Sequence, residues 1–421
     1  VTSTISRGEL RAMLLSSQYA LEHIANPSAR PSAPFDERCR RIVNNTRFEE
    51  AWREIVSWPG YAPTPLRPLT GLAAASAIEG IWYKDEAGRF GLGSFKALGG
   101  AYAVLRLLAR ETGSSANAEL TAQNLIHGDA RSRAAAITVT CATDGNHGRS
   151  VAWGAQQFGC RCVIYIHATV SEARRQAIAQ YGAEVVRVAG TYDDAIRRAA
   201  ADARANGWFV VSDTSYSGYM DVPRDVMQGY TVMAAEALSQ LPPGESFTHV
   251  FLQGGVGGLA AAVCGHLWES LGPNRPRIVV VEPEKAACLF ESARKGVPTS
   301  VGGDLDTIMA GLACGEVSLL AWEILRDGAD DFLTIPDEAA ADCMRLLAKG
   351  VGDDSPIVAG ESAVAGLAGL LLARSRPDMA RRLHLESDSR VLLIGSEGAT
   401  DAEVYTRIVG RSPEAAARGA Q

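Results

Sequence analysis

The chain has 421 residues, 47% of them hydrophobic and 21% charged, with a formal net charge of −7 at pH 7. That length exceeds what one core needs, so two domains are expected. The acidic balance and scattered Lys and Arg argue against a nucleic-acid or membrane surface, and no apolar stretch reaches the ~20 residues of a membrane span.

The opening VTSTISRGELRAMLLSS holds a short, mixed apolar run interrupted by an acid, a poor signal peptide. Residues 1–60 carry helical periodicity broken by the turn-rich NPSARPSAPF. GIWYKDEAGRF at 80–90 predicts a short strand and a turn, and FKALGGAYAVLRLLARE predicts a helix from Lys96. Residues 113–135 are polar and read as loop and helix. A regular alternation follows: strand AAITVTCAT, helix NHGRSVAWGAQQFG, strand CVIYIH, and helix SEARRQAIAQYG with Gly182 as its stop. Strand EVVRVAG, helix YDDAIRRAAADARANG and strand WFVVSD complete the run. A second block holds strands THVFLQGG and RIVVVEP, helix SAVAGLAGLLLA and strand SRVLLIGSEG. Such alternation implies parallel sheets flanked by helices, with the first α/β unit inserted in the second. The expected division is 1–106 plus 249–421 for a large domain and 107–248 for a small inserted one.

The eight cysteines (39, 141, 160, 162, 264, 288, 314 and 343) include one close pair, Cys160 and Cys162. A C-x-C pair without partners is not a zinc site, and no metal is expected. They read as reduced, mostly buried thiols of a cytoplasmic protein.

Several stretches could carry chemistry. In GLGSFKALGG, Lys96 lies between Ser94-Phe95 and Ala97-Leu98, with no charged residue nearer than Arg89 and Arg106. A buried ammonium there is costly unless it is neutral, paired or chemically used. QGGVGGLAAAV at 253–263 follows a strand and precedes a helix, so its backbone N–H groups suit an anion. It matches neither nucleotide fingerprint, and a ligand-free tight turn explains it equally well. TDGNHGRSVAW places Asp144, Asn146 and His147 at a strand end, where ligand crevices form. Asp144 or Asn146 can equally cap the helix, and a packed or hydrogen-bonded role is expected for His147. Asp213 ends VVSD, with Tyr216 and Tyr219 following, and Ser396 lies at the end of the last strand. Glu361 in GESAVAG is expected at a helix start. A lysine able to bond an aldehyde, beside a non-nucleotide phosphate cradle, points to pyridoxal 5′-phosphate.

The ordered motifs SFKALGGAYAV, ATDGNHGRSVAW, DTSYSGYMDVPRDVMQGY, QGGVGGLAAAV, TIMAGLACGE, GESAVAG and SEGATD resemble the diaminopropionate ammonia-lyase family. This is a family of fold-type II, tryptophan synthase β-like pyridoxal-phosphate enzymes. The resemblance implies a two-domain α/β fold, each domain a largely parallel sheet flanked by helices. It implies that Lys96 joins the coenzyme's aldehyde, with Phe95 beside it, and that Asn146 meets the coenzyme's phenolic oxygen. Gly254, Gly255, Val256, Gly257 and Gly258 would hold the phosphate, and Ser396 would face the pyridine nitrogen. Asp144 and Asp213 match the family's two acids. Lys96 and Asp144 are the expected bases on opposite faces of the substrate, and Asp213 binds its distal ammonium or protonates the leaving nitrogen. Ser94, Thr143, Asp144, Asp213 and Tyr216 are the expected substrate contacts. The glycines around Lys96 are read as room for a flat ring.

The expected reaction is elimination from 2,3-diaminopropionate, D or L, to pyruvate and ammonia by a homodimer. Two alternatives stay open: a dehydratase acting on serine, threonine or hydroxyaspartate, and a binding protein without catalysis. Nucleic acid and membrane are not expected partners.

Overall fold

The computed structural model describes residues 19–112, 121–127, 130–143 and 145–418. The stretch read as a poor signal peptide, residues 113–120 of the polar connection, and Asp144 lie outside the described residues.

Among the described residues the chain forms β1 (Glu22–Ala25), β2 (Leu66–Pro68), β3 (Gly80–Asp85), β4 (Thr138–Ala142), β5 (Arg161–His167), β6 (Glu184–Val188), β7 (Phe209–Val210), β8 (His249–Gln253), β9 (Arg277–Pro283), β10 (Asp331–Ile335) and β11 (Arg390–Gly395). They make two sheets, ordered β1-β10-β9-β8-β11-β3-β2 and β6-β5-β4-β7. The chain divides into two compact units. The smaller takes Ile42–Ala62 and Arg89–Val232; the larger takes the described residues up to Arg41, Pro63–Gly88, and those from Met233 on.

In the smaller unit all strand pairs are parallel. Each crossover is a helix, as a parallel pair requires. Among the helices of this unit are α1 (Lys96–Glu111), α2 (Asn146–Phe158), α3 (Tyr192–Asn206) and the first turns of α4 (Asp221–Ser239). Helix α3 has a full capping box, Thr191 with Asp194, and stops at the left-handed Gly207. Helices α1 and α2 meet backbone to backbone. A Cβ on Gly154 would lie 2.8 Å from Ala101 Cα, and one on Gly100 would lie 1.9 Å from Ser150 Oγ. Trp58, Phe90, Trp153 and Phe158 gather into one aromatic cluster, which fastens the 42–62 segment to this unit.

In the larger unit β10, β9, β8, β11 and β3 run parallel, and β1 and β2 close the edges antiparallel. Strands β8, β9 and β10 are buried almost throughout, so they read as apolar runs rather than alternations. Helices α5 (Gly258–Leu271), α6 (Cys288–Lys295) and α7 (Ala365–Arg374) are among those flanking the sheet. Two expectations shift. Glu361 does not start a helix, because α7 begins at Ala365 and Glu361 sits in the turn before it. The helix expected to stop at Gly182 ends at Ala179, and Gly182 closes the following turn by donating its N–H to Ala179 O.

Candidate active site

The smaller unit brings Lys96, Asp213 and His147 together. Lys96 is the first residue of α1, and Phe95 before it offers no side-chain cap. An ammonium in the first turn faces the positive end of the helix dipole. Asp213 offsets this: Lys96 Nζ donates to Asp213 Oδ2 at 2.5 Å. The same oxygen lies 3.7 Å from His147 Nδ1. The rings of Phe95 and Tyr230 lie 4.6 Å apart, tilted by 56°, and sit 5.3 and 5.9 Å from the ammonium, giving it two π faces. Lys96 is therefore paired rather than isolated, and its side chain keeps 21% exposure. Burial pushes the Asp213 carboxyl up, but the Lys96 ammonium, His147 and the hydrogen bond from Lys96 outweigh it. They hold Asp213 well below the usual carboxylate range.

The turn into α2 positions two more expected residues. Asn146 is not its cap: the N-cap is Gly145 and Asn146 is the first helical residue. Thr143 does the capping, its Oγ1 accepting from the N–H groups of Gly145 and Gly148, each at 3.0 Å. Ser94 is buried before Lys96. Tyr216 is not drawn onto the Lys96–Asp213 pair; its ring stacks on Tyr219 at 5.0 Å and stays 55% exposed. Tyr219 OH donates to Val210 O and accepts from Ser212 N, which pins the segment carrying Asp213. Gly99 and Gly100 do not make room for a ring. A Cβ on Gly99 would sit 2.3 Å from Tyr230 Cε1, so these glycines serve helix packing.

In the larger unit, the carboxyl ends of β8, β9 and β11 gather the glycine turn, Glu282 and Ser396. Ser396 is buried directly after β11. Gln253 locks β8 to β11, its Nε2 donating to Ile394 O and Ala363 O. Within the turn, Gly254 N–H is spent on Val281 O and Gly257 N–H on Gly254 O. No hydrogen bond engages the N–H groups of Gly255, Val256 or Gly258 among the described residues. Gly255 and Gly257 have φ of +63° and +96°, and a Cβ on Gly254 would strike Glu282 Cγ at 2.3 Å. Only glycine keeps this turn open ahead of α5, and three amides at a helix N-terminus fit a phosphate.

Sequence reasoning missed Glu282 and Tyr230. Glu282 is fully buried and accepts from Leu289 N (3.1 Å) and Phe290 N (2.7 Å). Burial outweighs these bonds and pushes its carboxyl up to about 8, so near neutral pH it is mostly protonated behind the glycine turn. An acid at the end of the apolar run RIVVVEP was the available signal. Tyr230, whose ring faces the Lys96 ammonium, gave none within its helix.

The model of the family described as "Pyridoxal-phosphate dependent enzyme" matches residues 57–397. Diaminopropionate ammonia-lyase of Escherichia coli is 42% identical over 362 residues, covering 85% of this chain and 90% of that protein. The holo crystal structure of that Escherichia coli enzyme superposes with a TM-score of 0.86 at 37% identity, over 93% of this chain and 97% of that one. Its complex with D-serine gives 0.85 at the same identity and coverage.

Proposed function

The chain belongs to the pyridoxal-phosphate dependent enzymes, and from that premise we propose that it eliminates ammonia from 2,3-diaminopropionate, leaving pyruvate. The observation that carries this reading is the Lys96–Asp213 pair: a carboxylate already held ionised against one amine is suited to receive a second. The 42% identical relative of that name supports the substrate.

When bound, the coenzyme supplies a ring that withdraws electrons from the substrate's Cα–H bond. The remaining work falls to this chain. Lys96 Nζ holds the coenzyme and afterwards takes or returns a proton on one face of the substrate. Asp144 serves the other face. Gly255, Val256 and Gly258 donate N–H groups to the phosphate, while Gly254 and Gly257 shape the turn. Asn146 meets the phenolic oxygen, Ser396 the ring nitrogen, and Phe95 flanks Lys96. Asp213 binds the distal ammonium and steadies the leaving nitrogen, with Ser94, Thr143 and Tyr216 as further contacts. We place the enzyme in the cytoplasm as a homodimer. Its eight free cysteines support a reducing compartment, and light scattering should give twice the chain mass of 44.6 kDa.

The test is a panel of D- and L-diaminopropionate, serine and threonine, read as pyruvate or 2-oxobutyrate and ammonia. Diaminopropionate should be the preferred substrate. Lys96→Ala should lose the coenzyme's bound absorbance and at least ~10²-fold of turnover. Faster release from serine than from either diaminopropionate isomer would make the protein a dehydratase instead.

A further inference from the structure

His147 is a buried imidazole that the scheme above does not use. Its Nε2 lies 2.8 Å from the carbonyl oxygen of Val211. A carbonyl only accepts, so Nε2 carries the hydrogen, and in the neutral ring Nδ1 is a bare lone pair. That Nδ1 is buried, has no hydrogen-bond partner, and faces Asp213 Oδ2 at 3.7 Å. A lone pair opposite a carboxylate is repulsive, whereas a protonated Nδ1 would be attracted to it. Lys96 and His147 are the basic groups within ion-pair distance of Asp213 among the described residues. Tyr219, Tyr230 and Cys141 also feel its charge, but burial keeps all three protonated and uncharged.

We propose that His147 is the reserve cation of Asp213: Nδ1 takes a proton from solvent when Lys96 is engaged by the coenzyme, and gives it back when the substrate's second ammonium reaches Asp213. This rests on the reading that Lys96 holds the coenzyme and Asp213 meets that ammonium. His147 is thus a positioning residue, acting through Asp213. The balance of forces supports the swap. Burial pushes the imidazole down, the Lys96 ammonium pushes it further, and Asp213 pulls it up. Withdrawing the Lys96 charge leaves Asp213 opposed by burial alone. The substrate's ammonium then restores the repulsion, and the proton leaves. Protons and substrate compete for one carboxylate, so acid should raise KM rather than lower kcat.

Two substitutions separate this role from a structural one. In His147→Gln the side-chain amide can reach the Nε2 position and keep the Val211 bond, but nothing replaces Nδ1. In His147→Asn the amide sits near Nδ1 and offers Asp213 a donor that does not titrate. Holoenzymes of wild type and both variants are compared for KM of diaminopropionate from pH 5.5 to 8.5. The ratio of wild-type to His147→Gln KM should rise as pH falls, approaching ~10-fold per pH unit below the imidazole pKa. Parallel KM profiles for wild type and His147→Gln would overturn the proposal, as would His147→Gln matching wild type while His147→Asn alone fails.

A second measurement needs neither turnover nor those variants. In ¹⁵N-histidine-labelled holoenzyme without substrate, one of the seven histidines should lose about tenfold in proton affinity on Asp213→Asn. If no histidine responds, the proposal falls. If one responds but diaminopropionate is not turned over, the substrate reading fails while the Asp213–His147 coupling stands.

Discussion

An ammonium withdrawn completely from water has to be compensated on the spot, and Lys84 shows how. Its side chain is 0% exposed, and Nζ donates to Glu236 Oε2 (2.7 Å), Thr64 O (2.6 Å) and Gln240 Oε1 (2.9 Å). Lys84→Met would strand a buried carboxylate, so it should cost about 3–5 kcal/mol, seen as a lower unfolding midpoint in urea. Lys96, by contrast, is partly exposed and held by a carboxylate that can be given another partner. Substituting it should cost function far more than stability. Sequence reasoning singled out Lys96 because its neighbours are uncharged, but passed over Lys84 inside GIWYKDEAGRF. Neighbours in sequence do not reveal neighbours in space, and the Glu236 that pairs with Lys84 is 152 positions away.

At the scale of elements, glycine marks where helices come closest. Gly99→Ala should destabilise by about 1–3 kcal/mol through overpacking, because the new Cβ meets Tyr230 Cε1 at 2.3 Å and the Val226 carbonyl oxygen at 2.7 Å. The helix propensity gained, about 1 kcal/mol, does not offset a clash that includes backbone. Gly91→Ala is the useful contrast: there is open space around its Cβ, so only its φ of +71° resists. Its cost should stay near 1 kcal/mol, and thermal melts of the pair would check the order. The parallel strands and their crossovers were legible because their apolar runs and stop signals are local. Strand β10 was not. It is short and opens with Asp331, a charge that reads as a loop until Arg277 and His23 are seen paired to it.

For the whole molecule, Glu282 ties stability to pH. Its folded carboxyl is raised to about 8 from an ordinary 4.5. Between those values the folded state holds a proton that the unfolded state lacks. The Glu282 contribution to stability should therefore be full below pH 4.5, fall as pH rises toward 8, and level off above it, with a total of a few kcal/mol. Glu282→Gln should remove that slope, whatever constant offset it adds. Unfolding midpoints measured across pH 5–9 would test this, and an unchanged slope would place the proton elsewhere.

The sequence by itself determined the α/β class, the two largely parallel sheets, the glycine turn before α5 and the lysine that opens α1. Each rests on periodicity, on φ limits or on a motif contained in a dozen residues. Tertiary structure alone decided which groups face one another. It set Asp213 and His147 against Lys96, gave the capping of α2 to Thr143, spent two of the turn's five amides internally, and buried Glu282 behind that turn. Those outcomes depend on strand register and helix packing between residues far apart in the chain, and desolvation and Coulomb energies follow distance in space, which no local pattern encodes.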